Sequence, residues 1–448
     1  MKKVLLIALS IVINSVLNAQ DTTRLSMLFV GDVMGHDSQI AAAYNSKEGT
    51  YDYQSCFRFV EPIIKSVDLA FGNLEVTLAG EPYKGYPQFS SPDELAVTLK
   101  NIGFDVLVTA NNHSLDRRRK GLERTVRVLD SLAILHTGTF VDTVSRMNDY
   151  PLIFTKNGFK IALLNYTYGT NGIPTTKPNI VNRIDTTLIR LDLEKAKANK
   201  PDVIISFLHW GNEYQSLPSS YQKRVANFCF KNGSDLVIGA HPHVVQPMEW
   251  RKDKNQAVIY SLGNFVSGQR KRNTDGGGMV RIDLEKILKN DTITSTIDTV
   301  GYLLAWVHRD TKMKYTILPA SILETNADTS LFELDKISKD AFQVFVDDSR
   351  GLFNKYNVGV NEFEIIPADS IIHYTIELSG IQQDQLDSIS SKKILFYGLE
   401  RSSPTEEKYK VGNFNRLESA EKISEEIKLE YPTLEVSVTK YINGIRVE

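Results

Sequence analysis

The chain has 448 residues, a formal net charge of −2 at pH 7, and 42% hydrophobic and 24% charged residues. This composition is that of an ordinary globular protein, the length predicts two or three domains, and the near-neutral charge gives no reason to expect nucleic-acid binding. Cys56 and Cys229 have no Cys or His nearby in ligand spacing, so they either pair or remain as buried thiols.

The first twenty residues have the pattern of a secretory signal peptide. Lys2 and Lys3 precede an apolar run over residues 4–17, and a polar stretch follows Ala19. A short positive region, an apolar run of this length and a small residue before the polar stretch are typical of export signals, and the run is short for a transmembrane helix. We therefore expect residues 1–19 to be removed and the mature protein to be periplasmic or secreted.

Beyond the signal segment, short apolar stretches alternate with amphipathic ones. The apolar stretches predict strands over residues 25–30, 68–71, 104–109, 160–165, 203–208, 236–238 and 258–260. The amphipathic stretches predict helices over residues 57–67, 92–102, 120–132 and 219–232. Such alternation predicts an α/β fold with a largely buried sheet and helices on both sides.

Chemically active side chains recur just after the carboxyl ends of these strands, where open α/β sheets place their active sites. They are Asp32, Glu75, Asn112, His209, His241 and His243. Carboxylate, amide oxygen and imidazole together form a mixed ligand set suited to Mn, Zn or Fe. Five of the eight histidines follow predicted strands, which favours a metal-centred catalytic site over scattered structural histidines.

The densest part of this pattern is Gly239-Ala240-His241-Pro242-His243-Val244, at the end of a predicted buried strand. Two histidines one residue apart converge on one point only if the backbone turns between them. We expect Pro242 to fix that turn, and Gly239 to let the backbone pass close to the bound group. Taken alone, the pair is equally compatible with core or surface histidines, because short motifs have many false matches.

Six short runs of this kind occur in order over about residues 25–285. They are Gly31-Asp32-Val33-Met34, Gly72-Asn73-Leu74-Glu75, Ala110-Asn111-Asn112-His113-Ser114-Leu115-Asp116, His209-Trp210-Gly211-Asn212-Glu213-Tyr214, Gly239-Ala240-His241-Pro242-His243 and Ser261-Leu262-Gly263-Asn264-Phe265. Together they resemble the CapA family, linked to capsule and poly-γ-glutamate synthesis and placed in the calcineurin-like metallophosphoesterase superfamily. The resemblance implies a four-layer α/β/β/α sandwich with two metals at the strand ends.

The resemblance also implies roles for individual residues. The positions that match metal ligands are Asp32, Asn112, His209, His241 and His243. His113 matches the catalytic histidine, whose role is to protonate the leaving oxygen or stabilise developing charge. One or two divalent ions are therefore expected.

Two positions depart from the superfamily pattern. Met34 stands where a histidine is usual, and Asn73 stands where a bridging aspartate is usual, so Glu75 becomes the candidate bridging ligand. These departures put the first metal in doubt. His36 is a candidate to replace part of the missing ligand set. The alternative is that His36 is simply an exposed histidine.

Three further residues are candidates for substrate binding, namely Trp210, Asn264 and Arg117. Arg117 begins the basic run 117–120, and a second basic run covers residues 270–272. Basic runs beside a cleft attract anionic substrates, but each is equally compatible with a solvated loop. Trp210 is equally compatible with core packing.

The rest of the chain divides into two parts. Residues 286–370 are predicted to contain strands over 291–318 and a helix over 330–356, which either complete the first domain, covering 20–285, or link it to the next. Residues 371–448 are predicted to form strands at 374–378, 408–414, 435–440 and 445–447 and a helix at 417–429.

This last part ends in a hairpin with Asn443-Gly444 as its turn. Its residues Tyr409, Val411, Gly412, Asn413, Phe414 and Ala420 resemble the SPOR domain. That resemblance implies binding to denuded peptidoglycan glycan strands through the sheet face, with Tyr409 and Phe414 as candidate contacts. The alternative is an accessory sheet domain without a ligand.

The sequence leaves two functions open. The first is an exported metal-dependent phosphoesterase-like hydrolase acting on an anionic envelope polymer, at a phosphoryl centre or at an amide or ester bond. The second is a non-catalytic polymer-binding factor of capsule assembly or export. The Met34 and Asn73 departures favour the second, whereas the intact set of His209, His241, His243 and Asn112-His113 favours the first. The sequence does not indicate an oligomeric state.

Overall fold

The computed structural model describes most of the chain. The described residues are 21–289, 292–325, 334–363, 372–381, 399–403, 406–414, 417–442 and 445–447. The expected signal segment and the predicted turn at Asn443-Gly444 lie outside them. Within these ranges, no helix combines the length and the apolar character needed to cross a membrane.

The described strands and helices follow the alternation predicted from the sequence. The strands are β1 Asp21–Val33, β2 Tyr44–Asn45, β3 Thr50–Tyr51, β4 Leu69–Leu74, β5 Val106–Val108, β6 Leu135–Thr137, β7 Thr139–Phe140, β8 Leu152–Lys156, β9 Phe159–Thr167, β10 Ile180–Val181, β11 Val203–His209, β12 Leu236–Ala240, β13 Val245–Arg251, β14 Gln256–Leu262, β15 Asn264–Val266, β16 Gly276–Lys289, β17 Thr292–Arg309, β18 Tyr315–Pro319, β19 Asn361–Glu362, β20 Ile372–Ser379, β21 Leu399–Ser403, β22 Glu406–Phe414, β23 Glu435–Ile442 and β24 Ile445–Val447. The helices are α1 Asp37–Ala43, α2 Gln54–Phe57, α3 Glu61–Lys65, α4 Asp93–Asn101, α5 Arg118–Ser131, α6 Thr143–Asp149, α7 Thr186–Ala198, α8 Ser220–Lys231, α9 Ala320–Thr325, α10 Lys336–Tyr356 and α11 Leu417–Glu430.

One predicted helix, over residues 57–67, is instead two short helices, α2 and α3. Pro62 lies in the first turn of α3. Proline has no N–H to donate to a carbonyl of the preceding turn, so the first helix ends before it and a second one begins around it.

The larger sheet has nine described strands, in the order β18-β17-β16-β1-β4-β5-β6, with β15 beside β1 and β19 beside β17. β1 pairs in parallel with β4 and β15 and antiparallel with β16. This pairing places Asp32 opposite both Asn73 and Asn264. Three polar side chains from separate parts of the sequence therefore meet at one level of the sheet.

The second sheet has six described strands, in the order β13-β14-β12-β11-β9-β8. Its four inner strands run parallel, and each edge strand is antiparallel to its neighbour. The register of β11 against β12 sets His209 opposite Ala240. The carboxyl ends of both strands therefore deliver their histidines to the same edge.

The two sheets pack face to face and are covered by helices on their outer faces. Phe29 and Phe71 of the first sheet lie in one apolar core with Ile161, Phe207 and Ile238 of the second. On the outside of the first sheet, α3 and α4 contribute to a second apolar core. On the outside of the other sheet, α7 and α8 do the same. The predicted α/β/β/α sandwich is confirmed.

The part after residue 285 continues the first sheet. The predicted domain boundary falls inside β16, and β17, β18 and β19 belong to the nine-stranded sheet. Helix α10 buries Phe345, Val346 and Phe353 in the core between the sheets. Of the two alternatives, the structure therefore has residues up to 363 completing the first domain.

The C-terminal unit is a separate sheet of five described strands, in the order β21-β22-β20-β23-β24, with α11 against one face. The strands and the helix predicted here are present, and β21 was not predicted. Tyr409 is buried between the sheet and α11, whereas nothing is described of the side chain of Phe414. Tyr409 therefore stabilises this unit's core and does not belong to an exposed sheet face.

The two cysteines are unpaired and buried. Cys56 lies in the apolar core outside the first sheet, and Cys229 lies in the core outside the second. Because both sheets separate them, the structure decides the open alternative in favour of buried thiols.

Candidate metal centre

Side chains from four strand ends meet at one buried point between the sheets. Two groups of three residues each present ligand atoms that all lie within 4.8 Å of one another. One group is Glu75, His209 and His241, and the other is Asp32, Glu75 and His243. Glu75 belongs to both, as expected of a carboxylate that bridges two ions. Among the described residues, the structure thus brings together five of the six predicted metal ligands in two adjoining groups.

The carboxylate of Glu75 is fully buried, and neither of its oxygens has a hydrogen-bond partner. Nε2 of His209 lies 3.4 Å from Oε1 without a hydrogen-bonding geometry. Burial, then the charge of Asp32, raises the pKa of Glu75 well above 4.5. Unpartnered buried polar atoms each cost about 1–3 kcal/mol. The donor set therefore fits a cation, which would satisfy these oxygens.

His241 presents a second unpartnered atom to the same place. Its Nδ1 is buried without a hydrogen-bond partner. Burial, then the charge of His243, lowers the pKa of His241 from 6.5 to about 3. The imidazole is therefore neutral at neutral pH, which is the form that binds a metal.

Asp32 is the acidic partner of the second group. Its Oδ2 lies 3.1 Å from Nδ1 of His243 and accepts the backbone N–H of His241 at 3.3 Å. Burial favours the protonated acid, but the hydrogen bond and charge of His243, and then the charge of His209, outweigh burial and lower the pKa of Asp32 below 3.8. Asp32 is therefore ionised at neutral pH.

Asn112, the sixth predicted ligand, joins the first group through its amide oxygen. Oδ1 of Asn112 accepts a hydrogen bond from Nε2 of His209 at 2.7 Å. Oδ1 of Asn112 and Nε2 of His209 therefore lie close enough together to bind one ion. Burial lowers the pKa of His209 well below 6.5, so this imidazole is also neutral.

Asn73 contacts two of the ligand residues and fixes their orientation. Its Nδ2 donates to Oδ1 of Asp32 at 2.8 Å and lies 3.2 Å from Nδ1 of His209. Its Oδ1 accepts from Nδ2 of Asn111 at 3.3 Å. Because the amide nitrogen points at the ligands, Asn73 acts as a donor here, and the bridging position falls to Glu75.

The two histidines of the turn owe their convergence to unusual backbone. His241 has φ +101° and His243 has φ +57°, on either side of Pro242. Both values lie in the left-handed region that costs a non-glycine residue about 1–3 kcal/mol. The prediction of a sharp turn is therefore confirmed, and the strain lies in the histidines themselves.

The role predicted for Gly239 is wrong. A Cβ at this position would lie 2.0 Å from the carbonyl oxygen of Tyr260 and 2.5 Å from Nε1 of Trp210. Gly239 is required by close packing behind the strand, away from the ligand atoms. The close backbone approach beside the ligands is between Gly31 and Gly263, since a Cβ on Gly31 would lie 1.9 Å from the Gly263 carbonyl oxygen.

His113 lies beside the ligand groups and is held by a carboxylate. Its Nδ1 donates to Oδ2 of Asp116 at 2.7 Å, and the same oxygen accepts the backbone N–H of Phe89 at 2.7 Å. With the proton on Nδ1 shared with Asp116, Nε2 is the ring atom available to a reacting group.

Met34 and His36, the two residues considered in connection with the first metal, lie outside the two ligand groups. Met34 is buried in the apolar core outside the first sheet. Nδ1 of His36 accepts the backbone N–H of Gly268 at 3.2 Å, and its ring packs edge-on against Phe89. His36 belongs to neither ligand group within the described residues, so the structure gives no support to compensation by His36.

A sequence profile described as bacterial capsule synthesis protein PGA_cap matches residues 26–269, more than half of the chain. The chain belongs to the PGA_cap family. All residues of the two ligand groups lie inside the matched segment.

Two curated proteins similar to this PGA_cap chain are described as capsule or PGA biosynthesis proteins. The capsule biosynthesis protein CapA of Bacillus anthracis is 29% identical over 295 residues, which is 63% of this chain and 68% of that protein. The PGA biosynthesis protein CapA of Bacillus subtilis (strain 168) is 28% identical over 312 residues, 67% of this chain and 79% of that protein. Among solved structures, Haemophilus influenzae NAD nucleotidase is similar with 15% identity and a TM-score of 0.38, covering 74% of this chain and 60% of that one.

The predicted substrate-binding residues of this PGA_cap chain have different surroundings. Trp210 is fully buried in the core outside the second sheet and donates to the carbonyl oxygen of Tyr260 at 2.9 Å, so the prediction that it contacts substrate is wrong. Arg117 donates to the carbonyl oxygen of Pro82. Asn264 does lie at the site, where its Oδ1 is 3.0 Å from Nδ1 of His243.

Sequence reasoning missed a loop that covers this PGA_cap site. The ring of Tyr168 lies 4.5 Å from the ring of His241, and Oδ1 of Asn171 accepts from Nδ2 of Asn112 at 3.2 Å. Both residues follow the carboxyl end of β9. The metal ligands were predicted because they are polar residues that follow strand ends. The same criterion would have included Tyr168 and Asn171.

Proposed function

We propose that the chain is an exported, metal-dependent phosphoesterase-type enzyme that acts in the synthesis or processing of an anionic capsule or cell-envelope polymer. The observation that carries the proposal is the carboxylate of Glu75, buried without hydrogen-bond partners and shared by two ligand groups. A protein that only held a polymer would have no use for two adjoining sets of buried ligand atoms that share an unpartnered carboxylate.

Two ions of a divalent metal would be held by these groups. The first would take Glu75, His209, His241 and the amide oxygen of Asn112, and the second would take Asp32, Glu75 and His243. When bound at such a site, divalent metals lower the pKa of water and polarise phosphoryl oxygens. The mixed oxygen and nitrogen donors suit Mn, Zn or Fe.

The chain's own residues supply the proton transfer and the positioning. His113, held through Nδ1 by Asp116, presents Nε2 as the atom that gives a proton to the leaving oxygen. Asn73 holds Asp32 and His209 in position through its amide nitrogen. Tyr168 packs over His241 and shields that side of the site from water.

A second candidate function is a non-catalytic factor that binds polymer during capsule assembly or export. The observation that favours it is Met34, which lies in an apolar core where the superfamily pattern expects a histidine ligand. The group of Asp32, Glu75 and His243 therefore offers one imidazole, which makes its ion the more weakly held of the two.

Metal content and hydrolysis of a small phosphodiester distinguish the two candidates. The purified chain is expected to bind a divalent metal and to hydrolyse bis-p-nitrophenyl phosphate. His241→Ala is expected to lose both, whereas His136→Ala, a histidine that contacts Asp130 away from the site, is expected to keep both. A wild-type chain without bound metal, or equal activity in the two variants, would exclude the enzyme.

The proposed setting is the cell envelope. The signal pattern of residues 1–19 supports export, and the C-terminal sheet with α11 supports tethering to peptidoglycan glycan strands. The full chain is expected to sediment with purified sacculi, and a chain ending at residue 363 is expected to remain in the supernatant. Equal sedimentation of the two would remove the C-terminal unit as the tether.

A further inference from the structure

The loop over residues 168–173, which follows β9, covers the candidate metal centre and is tied to its ligand residues. The backbone N–H of Tyr168 donates to the carbonyl oxygen of His209 at 2.9 Å. The ring of Tyr168 lies 4.5 Å from the ring of His241 and, at an angle of 14°, 6.3 Å from the ring of His209. The loop therefore lies over the ligand group that contains these two histidines.

The buried amide group of Asn112 lies between this loop and the ligand atoms. Its Oδ1 lies 2.7 Å from Nε2 of His209, on the side of the ligand group. Its Nδ2 donates to Oδ1 of Asn171 at 3.2 Å, and its side chain also makes a hydrogen bond with the hydroxyl of Tyr168. An amide nitrogen has two hydrogens to donate, so the loop offers an acceptor for each of them.

These contacts decide which end of the amide faces the ligand atoms. The oxygen and the nitrogen of an amide are nearly alike in shape, so hydrogen bonds determine which of the two orientations the side chain adopts. In the reversed orientation, the nitrogen of Asn112 would face His209, and its oxygen would face the oxygen of Asn171. Because only the amide oxygen has lone pairs for a cation, the acceptors of the loop favour the orientation that binds metal.

Asn171 also contacts the candidate catalytic histidine. Its Nδ2 lies 3.5 Å from Nδ1 of His113. The backbone of Asn171 has φ +49°, in the left-handed region that asparagine adopts more readily than most residues. One side chain therefore lies against both a candidate metal ligand and the candidate catalytic residue.

Arg183 and Thr170 hold the loop on either side of Asn171. The guanidinium of Arg183 donates to the carbonyl oxygen of Tyr168 at 3.0 Å and to Oγ1 of Thr170 at 3.2 Å. The hydroxyl of Thr170 donates in turn to the carbonyl oxygen of Ile173 at 2.7 Å. Because these contacts do not involve the side chain of Asn171, a change of that side chain should leave the loop in place.

We propose that Asn171 and Tyr168 are positioning residues, which hold the amide oxygen of Asn112 toward the divalent cation bound by Glu75, His209 and His241. The proposal rests on the proposed function for the presence of that cation. Both residues act on the cation through Asn112. The loop over residues 168–173 thereby sets how tightly the metal is bound.

The test is a calorimetric titration of the full mature chain, stripped of metal by a chelator, with Mn²⁺, which measures the Kd of the tighter ion. Asn171→Gly removes the acceptor and suits the left-handed backbone. It is expected to raise this Kd about tenfold, as for other residues that orient metal ligands. Asn171→Asp keeps an acceptor oxygen and is expected to keep the wild-type Kd or to lower it, because a negative charge near a cation strengthens binding.

A second variant removes the other acceptor. Tyr168→Phe keeps the ring over His241 and removes the hydroxyl, so it is also expected to raise the Kd. The variant with both Asn171→Gly and Tyr168→Phe is expected to raise the Kd more than either change alone, because the amide nitrogen of Asn112 then loses both acceptors.

Asn157→Gly is the matched control. Asn157 also has left-handed backbone, with φ +46°, but it precedes β9, at the end of the strand opposite to the loop. This variant should keep the wild-type Kd. Thermal unfolding in chelator should give the wild-type Tm for Asn171→Gly, which separates a loss of metal affinity from a loss of folding stability.

The positioning role would be overturned by a wild-type Kd in Asn171→Gly, by a Kd raised equally in Asn171→Asp, or by a Kd raised equally in Asn157→Gly. A wild-type chain that binds no Mn²⁺ would overturn both this role and the proposed enzyme. A chain that binds Mn²⁺ but does not hydrolyse the small phosphodiester would contradict the proposed enzyme alone, because the effect of Asn171→Gly on the Kd is measured without turnover.

Discussion

Nδ1 of His113 lies 2.7 Å from Oδ2 of Asp116, and the same oxygen accepts the backbone N–H of Phe89. The other oxygen of Asp116 is buried without a partner. One carboxylate thus fixes both the tautomer of the histidine and the loop that packs against it. A single oxygen carries both contacts, so the charge of Asp116 can be separated experimentally from its geometry.

Asp116→Asn is expected to keep the fold and to lower kcat. The amide oxygen can replace Oδ2, and the amide nitrogen can occupy the place of the unpartnered oxygen, so only the negative charge beside His113 is lost. We expect a fall in kcat of about 10–100-fold, as for other orienting carboxylates, with unchanged metal content. Steady-state kinetics and metal analysis measure the two quantities.

The control for this substitution is a double-mutant cycle with His113→Ala. That variant alone is expected to lose about 10²–10⁴-fold in rate. Adding Asp116→Asn to it should cost little more, because the carboxylate acts through the histidine. Independent, multiplying losses would contradict the assignment of Asp116 as a positioning residue.

Glu75→Gln is expected to destroy metal binding and to stabilise the metal-free protein. The substitution keeps the shape and removes a buried carboxyl group whose oxygens have no hydrogen-bond partner and whose charged form is disfavoured by burial and by Asp32. We expect a gain of about 1 kcal/mol in the free energy of unfolding without metal, or about 1–2 °C in Tm. Thermal unfolding with and without chelator measures both effects.

Glu48→Gln is the matched control, since Glu48 is exposed on a surface turn. It should change neither Tm nor the stabilisation by added metal, which reports metal affinity by mass action. Wild-type stabilisation of Glu75→Gln by metal would show that Glu75 is not a ligand.

The contribution of His241 to the stability of the metal-free protein is expected to fall as the pH falls below 6.5. Burial, then the charge of His243, lowers the pKa of His241 from 6.5 to about 3. Between these values the unfolded chain binds a proton that the folded chain does not, so the free energy of unfolding falls with falling pH, by at most about 1.4 kcal/mol per pH unit for this group.

His241→Gln should make this dependence shallower, because it removes one such group. Urea unfolding in the presence of chelator at several pH values between 4 and about 7 measures the slope. A variant with the wild-type slope would show that His241 is protonated equally in both states.

Gly239→Ala is expected to destabilise the fold strongly. The added methyl would lie 2.0 Å from the Tyr260 carbonyl oxygen, a backbone atom that cannot move without shifting the strand. Overpacking of this kind costs about 1–3 kcal/mol or more. Urea unfolding measures the loss.

Gly351→Ala provides the opposite control. A Cβ at this position of α10 meets no atom within 4 Å, and alanine is the better helix former by about 0.5–1 kcal/mol. Gly351→Ala should therefore be neutral or stabilising. Equal losses in the two variants would indicate that the contact with Tyr260 is not the cause.

Much of the fold and most ligand identities were predictable from the sequence. The strands can be predicted because each is a locally apolar stretch that ends at a polar cluster. Parallel strands of one sheet end at the same edge, so their polar clusters are expected to meet. Asp32, Glu75, Asn112, His209, His241 and His243 were therefore expected together. The family resemblance added His113 as a catalytic residue, and the departure at Asn73 added the bridging role of Glu75.

Other features depended on contacts between distant parts of the chain. Trp210 and Gly239 follow or end strands just as ligands do, yet they pack against Tyr260 on the far side of the second sheet. Tyr409 has the residue type of a glycan contact, but it is buried under α11. The side of a strand on which a residue lies depends on register, which a short motif does not specify.

The sequence by itself determined which residues could be ligands and where each strand would end, because residue type and hydrophobic periodicity are local properties. Only the tertiary structure decided that the carboxylate of Glu75 is common to both ligand groups, that the amide nitrogen of Asn73 faces Asp32, and that Asn171 accepts a hydrogen bond from Asn112. These features are distances of a few ångströms between residues tens to hundreds of positions apart, and strand pairing and core packing set them.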